Sequence, residues 1–276
     1  MSNLTKRTLS GIIFVLVFVS CILIGRSTYF CLFLVVTALA MDEYNRLINQ
    51  HGLATINATV NTITGIYLFF ATAFILQGAV GPRILLPYIL SLLYLMISEL
   101  YLKQSQPIAN WAYAFGGQIY IALPFALLNL LAFYGNQGYS PILPMAIFVF
   151  LWVNDTGAYC IGSLLHKRFP AKLFERISPK KSWVGSLGGA IFVLIAAFIF
   201  ALSSHLLPTI HWLGLGLTVC VFGTWGDLVE SLFKRTLGIK DSGNFLPGHG
   251  GVLDRFDSAL LAIPASTIYI YAIATL

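Results

Sequence analysis

Nine apolar runs follow one another along this chain of 276 residues. Each is about 15 to 25 residues long, the length a helix needs to cross roughly 30 Å of hydrocarbon at 1.5 Å per residue. A soluble domain has no interior able to hide nine such runs. With 58% hydrophobic and only 9% charged residues, and a mean hydropathy of +0.84, the membrane is the solvent for this chain. The runs cover approximately 9–25, 28–47, 57–77, 84–102, 109–133, 142–163, 184–204, 211–233 and 258–276. Ordinary breakers separate them: Gly25-Arg26, Gly81-Pro82, Gly135-Asn136, Ser178-Pro179 and Leu207-Pro208. The first run follows Lys6 and Arg7 like a signal peptide, but no convincing small-residue cleavage site follows it, so it is expected to remain as the first span.

The expected fold is therefore an all-α polytopic membrane protein of about nine transmembrane helices. It is read as one integral membrane domain, 1–276, with about five spans in 1–140 and the catalytic helices and loops in 141–276. With nine alternating spans and the N-terminus inside, 14 of the 16 Lys and Arg side chains fall on the cytoplasmic side and only Arg26 and Arg83 outside. That asymmetry predicts a cytoplasmic N-terminus and an external C-terminus. It also accounts for the formal charge of +6 through lipid headgroups and orientation rather than nucleic acid. Cys21, Cys31, Cys160 and Cys220 lie in apolar runs without C-x-x-C spacing, which argues against a disulfide framework or a zinc site.

Against this background Ser231–Asp257, reading SLFKRTLGIKDSGNFLPGHGGVLDRFD, is anomalous, with seven charged residues, a histidine and five glycines. Uncompensated charge in hydrocarbon costs several kcal/mol, on the order of 2.5–3.5 at a helix centre, so the segment belongs at a membrane surface or a wet cavity. Just before and within it, Asp227, Glu230, Ser231 and Lys234 recur at helical spacing and share one face. Asp227 falls inside the cytoplasmic hydrocarbon boundary and needs a partner, either Lys234 or a group on another helix. Asp254, Asp257 and Ser258 open the final helix on one face, where capping explains one or two of them. The glycines around His249 let backbone N–H groups approach an anion. By itself His249 reads more readily as a hydrogen-bonded structural residue. Asp155 is a second membrane-embedded carboxylate. Ser178-Pro179-Lys180-Lys181-Ser182 precedes a helix start and suits phosphate contact, whereas Lys167, Arg168, Lys172 and Arg176 read as orientation charges. Carboxylates, cations and glycines gathered at one boundary fit Mg²⁺-assisted transfer at phosphorus with a lipid reactant, an active site at the cytoplasmic membrane boundary.

The run from Ser231 to Asp257 resembles the signature of the phosphatidate cytidylyltransferases, the CDP-diacylglycerol synthases. The resemblance extends to Lys6-Arg7-Thr8, Glu43, Asn154 to Tyr159, Ser178 to Ser182, and Gly226-Asp227 with Glu230-Ser231. Val184 departs from it, standing where glutamate is often seen. The resemblance implies the reaction of CTP with phosphatidate to give CDP-diacylglycerol and pyrophosphate in phospholipid biosynthesis, in a bacterial cytoplasmic (inner) membrane. It implies Mg²⁺ held by Asp227 and Asp254, with room for K⁺ as a second ion, and Asp257, Asp155 and Lys240 completing the site. Substrate contacts are then expected from Asp155, Ser178, Lys180, Lys181, Ser231, Lys234, Arg235, His249 and Arg255. The expected partners are CTP, phosphatidate and membrane lipids, with no nucleic acid, and a homodimer is compatible with this reading. Two other classes compete: another Mg²⁺-dependent lipid-phosphate or prenyl-phosphate transferase, and an anion transporter. The transporter calls for charges near the bilayer midplane and paired broken helices, whereas these clusters gather at one face.

Overall fold

A computed structural model describes residues 3–135, 138–165, 167–243 and 250–274. Helices occupy all nine expected stretches: α1 (Asn3–Ile24), α2 (Arg26–Gln50), α3 (Ala58–Leu76), α4 (Leu86–Leu102), α5 (Pro107–Gly117) continued by α6 (Leu123–Ala132), α7 (Ile142–Leu165), α8 (Trp183–Ser203), α9 (Thr209–Thr236) and α10 (Leu253–Ala274). Among the described residues seven helical stretches are long and apolar enough to cross a membrane. Of the other two stretches, α1 contributes a shorter apolar segment, Gly11–Ile24. Helix α2 has 25 residues but carries Asp42, Glu43 and Arg46 in its second half. The all-α polytopic membrane fold is thus established.

The chain divides into two compact units, Met1–Pro141 with Asp241–Arg255, and Ile142–Lys240 with Phe256–Leu276. In the first, α2, α3 and the α5–α6 rod are locked by buried amides. Asn61 Nδ2 donates to Asn45 Oδ1 at 2.8 Å, and Gln118 Nε2 donates to Asn61 Oδ1 at 2.8 Å. Such amide-to-amide bonds are how polar groups hold helices together where the surroundings offer no water. The rod widens into a π-turn over Gln118–Ala122, just before Pro124. A proline ring would collide with the carbonyl four residues earlier in a regular helix, and the wider turn relieves that. Helix α4 buries only Leu95 and exposes Leu90 and Leu100 at 64% and 72%, an apolar surface suited to lipid.

In the second unit, α8 lies almost backbone to backbone on α7. A Cβ on Gly189 would sit 2.8 Å from the Asn154 carbonyl oxygen, so only glycine permits the approach. Phe150, Phe200 and Trp212 close the core, with the Phe200 and Trp212 rings 5.4 Å apart.

Two connections depart from expectation. The segment 164–183 contains an antiparallel hairpin, β1 (Lys172–Phe174) and β2 (Ser178–Ser182), pairing Lys172 with Ser182 and Phe174 with Ser178. Strands of three and five residues carry too little alternation to be seen in sequence. The polar connection expected from 234 to 257 is shorter. Helix α9 continues to Thr236, placing Lys234 and Arg235 on the helix. It ends in a Schellman turn in which Gly238, at φ 70°, donates to Arg235 O and Ile239 to Lys234 O. Helix α10 begins at Leu253, so Asp254, Arg255 and Asp257 are helical.

Candidate active site

The polar face of α9 is brought against α10 by a glycine. A Cβ on Gly226 would lie 2.6 Å from the Asp257 carbonyl oxygen and 3.0 Å from Ser258 Cα, so the two helices meet at backbone distance one residue before Asp227. Asp227 finds its partner on the hairpin: Lys181 Nζ lies 2.6 Å from Asp227 Oδ2, and Ser231 Oγ donates to Asp227 Oδ1 at 3.1 Å. Lys234, the alternative partner, pairs with Glu230 instead at 2.6 Å. That pair is buried, with Glu230 at 0% and Lys234 at 9% exposure, and a buried charge is tolerated only when matched in this way. Asp257 lies within electrostatic reach of Asp227, Glu230 and Asp155, and Asp155 within reach of Asp227 and Lys181. Four carboxyl groups therefore share this neighbourhood with the two ammonium groups of Lys181 and Lys234, leaving an excess of acid.

Beside this cluster a cavity of about 460 Å³ is lined by Asp155, Tyr159, Lys172, Lys180, Lys181 and Ser186, among others. The hairpin delivers the lysines. Lys180 and Lys181 come from β2, and the pairing of Lys172 with Ser182 sets the third beside them. Ser182 caps α8, its Oγ accepting from Gly185 N at 3.2 Å, which fixes the end of the strand that carries Lys180 and Lys181. An enclosure with three ammonium groups near carboxylates can take a polyanion together with a hard cation. Among the described residues no three acidic, His or Cys side chains converge into a metal cage. Mg²⁺ keeps few protein ligands and completes its shell with water and substrate phosphate oxygens. The oxygen donors of Asp155, Asp227 and Asp257 are chemically appropriate to it.

The first unit holds the rest of the glycine-rich segment. Asp254 Oδ2 accepts from Ser242 N at 2.8 Å, Ser242 Oγ at 2.9 Å and Gly251 N at 2.8 Å. Glu43, on α2 and 7% exposed, accepts from Val252 N at 2.8 Å and Leu253 N at 3.2 Å, and competes with Asp254 for the one proton of the Ser242 hydroxyl. Of the amides in the glycine pattern, that of Gly251 is turned toward the protein's own Asp254, and residues 244–249 lie outside the described residues. Gly250, at φ 80°, adopts a conformation costly for any other residue.

Of the other expected contacts, Ser178 is half-buried on β2 and Lys240 is exposed beyond α9. Arg235 donates to Ile239 O at 3.1 Å, and Arg255 is exposed on the first turn of α10. His249 lies outside the described residues. Sequence reasoning did not place Lys172 beside the cavity, because its position opposite Ser182 exists only once the hairpin forms. It noted Glu43 only through a resemblance, although a carboxylate late in an apolar run is itself a signal.

The fold and cavity define a polytopic membrane protein with lysines and carboxylates gathered at one site, a lining chemically able to take a phosphate-bearing molecule. Residues 5–273 match the cytidylyltransferase family, and the chain belongs to that family. It is similar to the phosphatidate cytidylyltransferase of Bacillus subtilis (strain 168), with 31% identity over 265 residues and 96% of each chain covered. It is likewise similar to that of Staphylococcus haemolyticus (strain JCSC1435), with 33% identity over 269 residues, covering 95% of this chain and 97% of the relative. The chain is accordingly a nucleotidyltransferase and an integral membrane protein.

Proposed function

We propose that this enzyme transfers CMP from CTP to phosphatidate, giving CDP-diacylglycerol and pyrophosphate at the cytoplasmic face of a bacterial cytoplasmic membrane. The observation that carries the reading is the family match over nearly the whole chain. The lysine-lined cavity beside Asp155 and Asp227 supports it. A phosphate oxygen of phosphatidate attacks the α-phosphorus of CTP, a new P–O bond forms, the α–β P–O bond breaks and its electron pair leaves on pyrophosphate. The lipid phosphate is already ionised near neutral pH, so the reaction needs no side-chain nucleophile. Lys172, Lys180 and Lys181 would hold triphosphate oxygens and orient the α-phosphorus. Ser231 and Lys181 hold Asp227 in a fixed rotamer, so that its carboxylate is preorganised. Asp227 in the second unit and Asp254 in the first are the proposed metal-binding carboxylates for Mg²⁺, with Asp155 and Asp257 orienting the charged groups around Asp227 and K⁺ as a second ion. When bound, Mg²⁺ supplies neutralisation of phosphate charge.

The direct test supplies labelled CTP to the outer surface of sealed vesicles carrying phosphatidate and the purified protein in known orientation. Lipid-extractable CMP is expected only when the cytoplasmic face is outward and Mg²⁺ is present. Labelling from the opposite face alone, or none from either, would overturn the assignment.

The lysines separate phosphate contact from orientation charge. Lys172→Gln is expected to raise KM for CTP roughly tenfold, the loss of one charge-assisted contact of about 1.5 kcal/mol. Lys240→Gln is expected to lower kcat/KM at least as much, whereas Lys167→Gln should leave both constants within about twofold. Steady-state assays with each substrate varied separately decide this. Equal small effects from all three substitutions would remove Lys172 and Lys240 from the phosphate site.

A further inference from the structure

We infer that Glu43 is a positioning residue for catalysis, an internal anion around which the end of the signature segment is folded. This inference rests on the function proposed above and concerns a residue to which that mechanism gives no role. Glu43 reaches the segment from 199 to 210 residues earlier in the chain, and both of its carboxylate oxygens are engaged. Oε2 accepts Val252 N at 2.8 Å, while Oε1 accepts Leu253 N at 3.2 Å and lies against the Ser242 hydroxyl. Two consecutive amides at the start of α10 converge on one carboxylate, a geometry that elsewhere binds phosphate.

The glycines on either side belong to the same design. A Cβ on Gly251 would collide with the Glu43 carboxylate, and a Cβ on Gly243 would lie 3.0 Å from Glu43 Oε2. Their lack of a side chain is what lets the backbone close on Glu43. Glu43 is itself held in place from behind: two residues along α2, Asn45 is pinned by Asn61, and Tyr44 donates to Tyr113 O at 3.1 Å.

Ser242 links this carboxylate to the proposed metal-holding one. Its hydroxyl lies between Glu43 and Asp254 Oδ2, 2.9 Å from the latter, with one proton to share between the two carboxylates, while its backbone N–H donates to the same Asp254 oxygen at 2.8 Å. Glu43 thus sets Ser242, Val252 and Leu253, and these set the rotamer of Asp254. A hydrophobic residue would not do this, and neither would glutamine. One of glutamine's two terminal atoms is an NH₂ donor, which at either position would face a backbone N–H, of Val252 or of Leu253, that cannot turn away.

The test compares Glu43→Gln, Ser242→Ala and the double variant in the purified full-length protein, with the labelled-CTP assay and thermal unfolding measured on each. Glu43→Gln is expected to lower kcat by roughly 30-fold or more while KM for CTP and for phosphatidate stays within about threefold, since an aligned site is lost but substrate contacts remain. Ser242→Ala, which removes a single hydroxyl and keeps the fold, should lower kcat roughly three- to tenfold. The double variant should be no worse than Glu43→Gln alone, because the two act through one chain of contacts. A merely structural Glu43 would lower the amount of folded protein without changing kcat per folded molecule. That result, wild-type kcat in Glu43→Gln, or fully multiplicative losses in the double variant would each overturn the inference. Absence of product from the wild-type enzyme would instead reject the proposed function.

Discussion

Asp227→Asn is expected to lower kcat/KM by at least about 100-fold, equivalent to roughly 2.7 kcal/mol of transition-state stabilisation. Two effects add in the same direction. The amide cannot supply the anionic oxygen proposed for Mg²⁺, and it releases Lys181, which now lies 2.6 Å from Asp227 Oδ2. The second effect predicts a further sign: a freed Lys181 binds the triphosphate no more weakly than before, so the loss falls on kcat rather than on KM for CTP. The variant should still insert and unfold at nearly the wild-type temperature, because Asp227 is partly exposed beside a cavity rather than packed in the core. Labelled-CTP kinetics at saturating Mg²⁺ decide the matter. Turnover near wild type would remove Asp227 from the proposed metal site.

Asp254→Asn is expected to cost a similar factor, at least about 100-fold in kcat/KM, but with a different accompaniment. Asp254 Oδ2 accepts two backbone N–H groups and the Ser242 hydroxyl. If the asparagine carbonyl keeps those bonds, the NH₂ group takes the other carboxylate position. If the NH₂ group faces them, the segment opens. Limited proteolysis and hydrogen exchange over 241–255 distinguish the two. Loss of activity with unchanged protection marks a lost charge, as the metal proposal requires. Loss matched by a proportional rise in exchange would make Asp254 an organiser of the segment only. Activity within a few-fold of wild type would sink both readings.

Much of the fold was legible because hydrocarbon imposes its own length and composition on a spanning helix. The nine apolar stretches of the sequence are the nine helical stretches of the structure, and the Lys and Arg side chains lie in the connections or toward the helix ends. The polar segment from Ser231 onward was legible for the complementary reason, that such charge has no place in lipid. Helix spacing also placed Asp227, Glu230, Ser231 and Lys234 on one face of α9.

What could not be read was which of those groups meet. Asp227 and Lys181 are 46 residues apart in the chain, and their pairing depends on a two-stranded hairpin too short to announce itself. Lys172 passed for an orientation charge because its neighbours across the hairpin are invisible in linear order. The glycines around His249 were read as letting backbone N–H groups approach an anion, and residues 244–249 lie outside the described residues. In the folded chain the amides of Gly251, Val252 and Leu253 close on Asp254 and Glu43, and the latter arrives from α2. The sequence by itself determined the membrane class and the helices, and singled out the residues proposed for phosphate chemistry, since these follow from hydropathy, periodicity and charge, which are local. Only the tertiary structure decided the partners of Asp227, Lys234, Asp254 and Glu43. Hydrogen bonds and ion pairs act over about 3 Å, and the chain segments that reach that range are chosen by packing at Gly189, Gly226 and Gly251 rather than by sequence spacing.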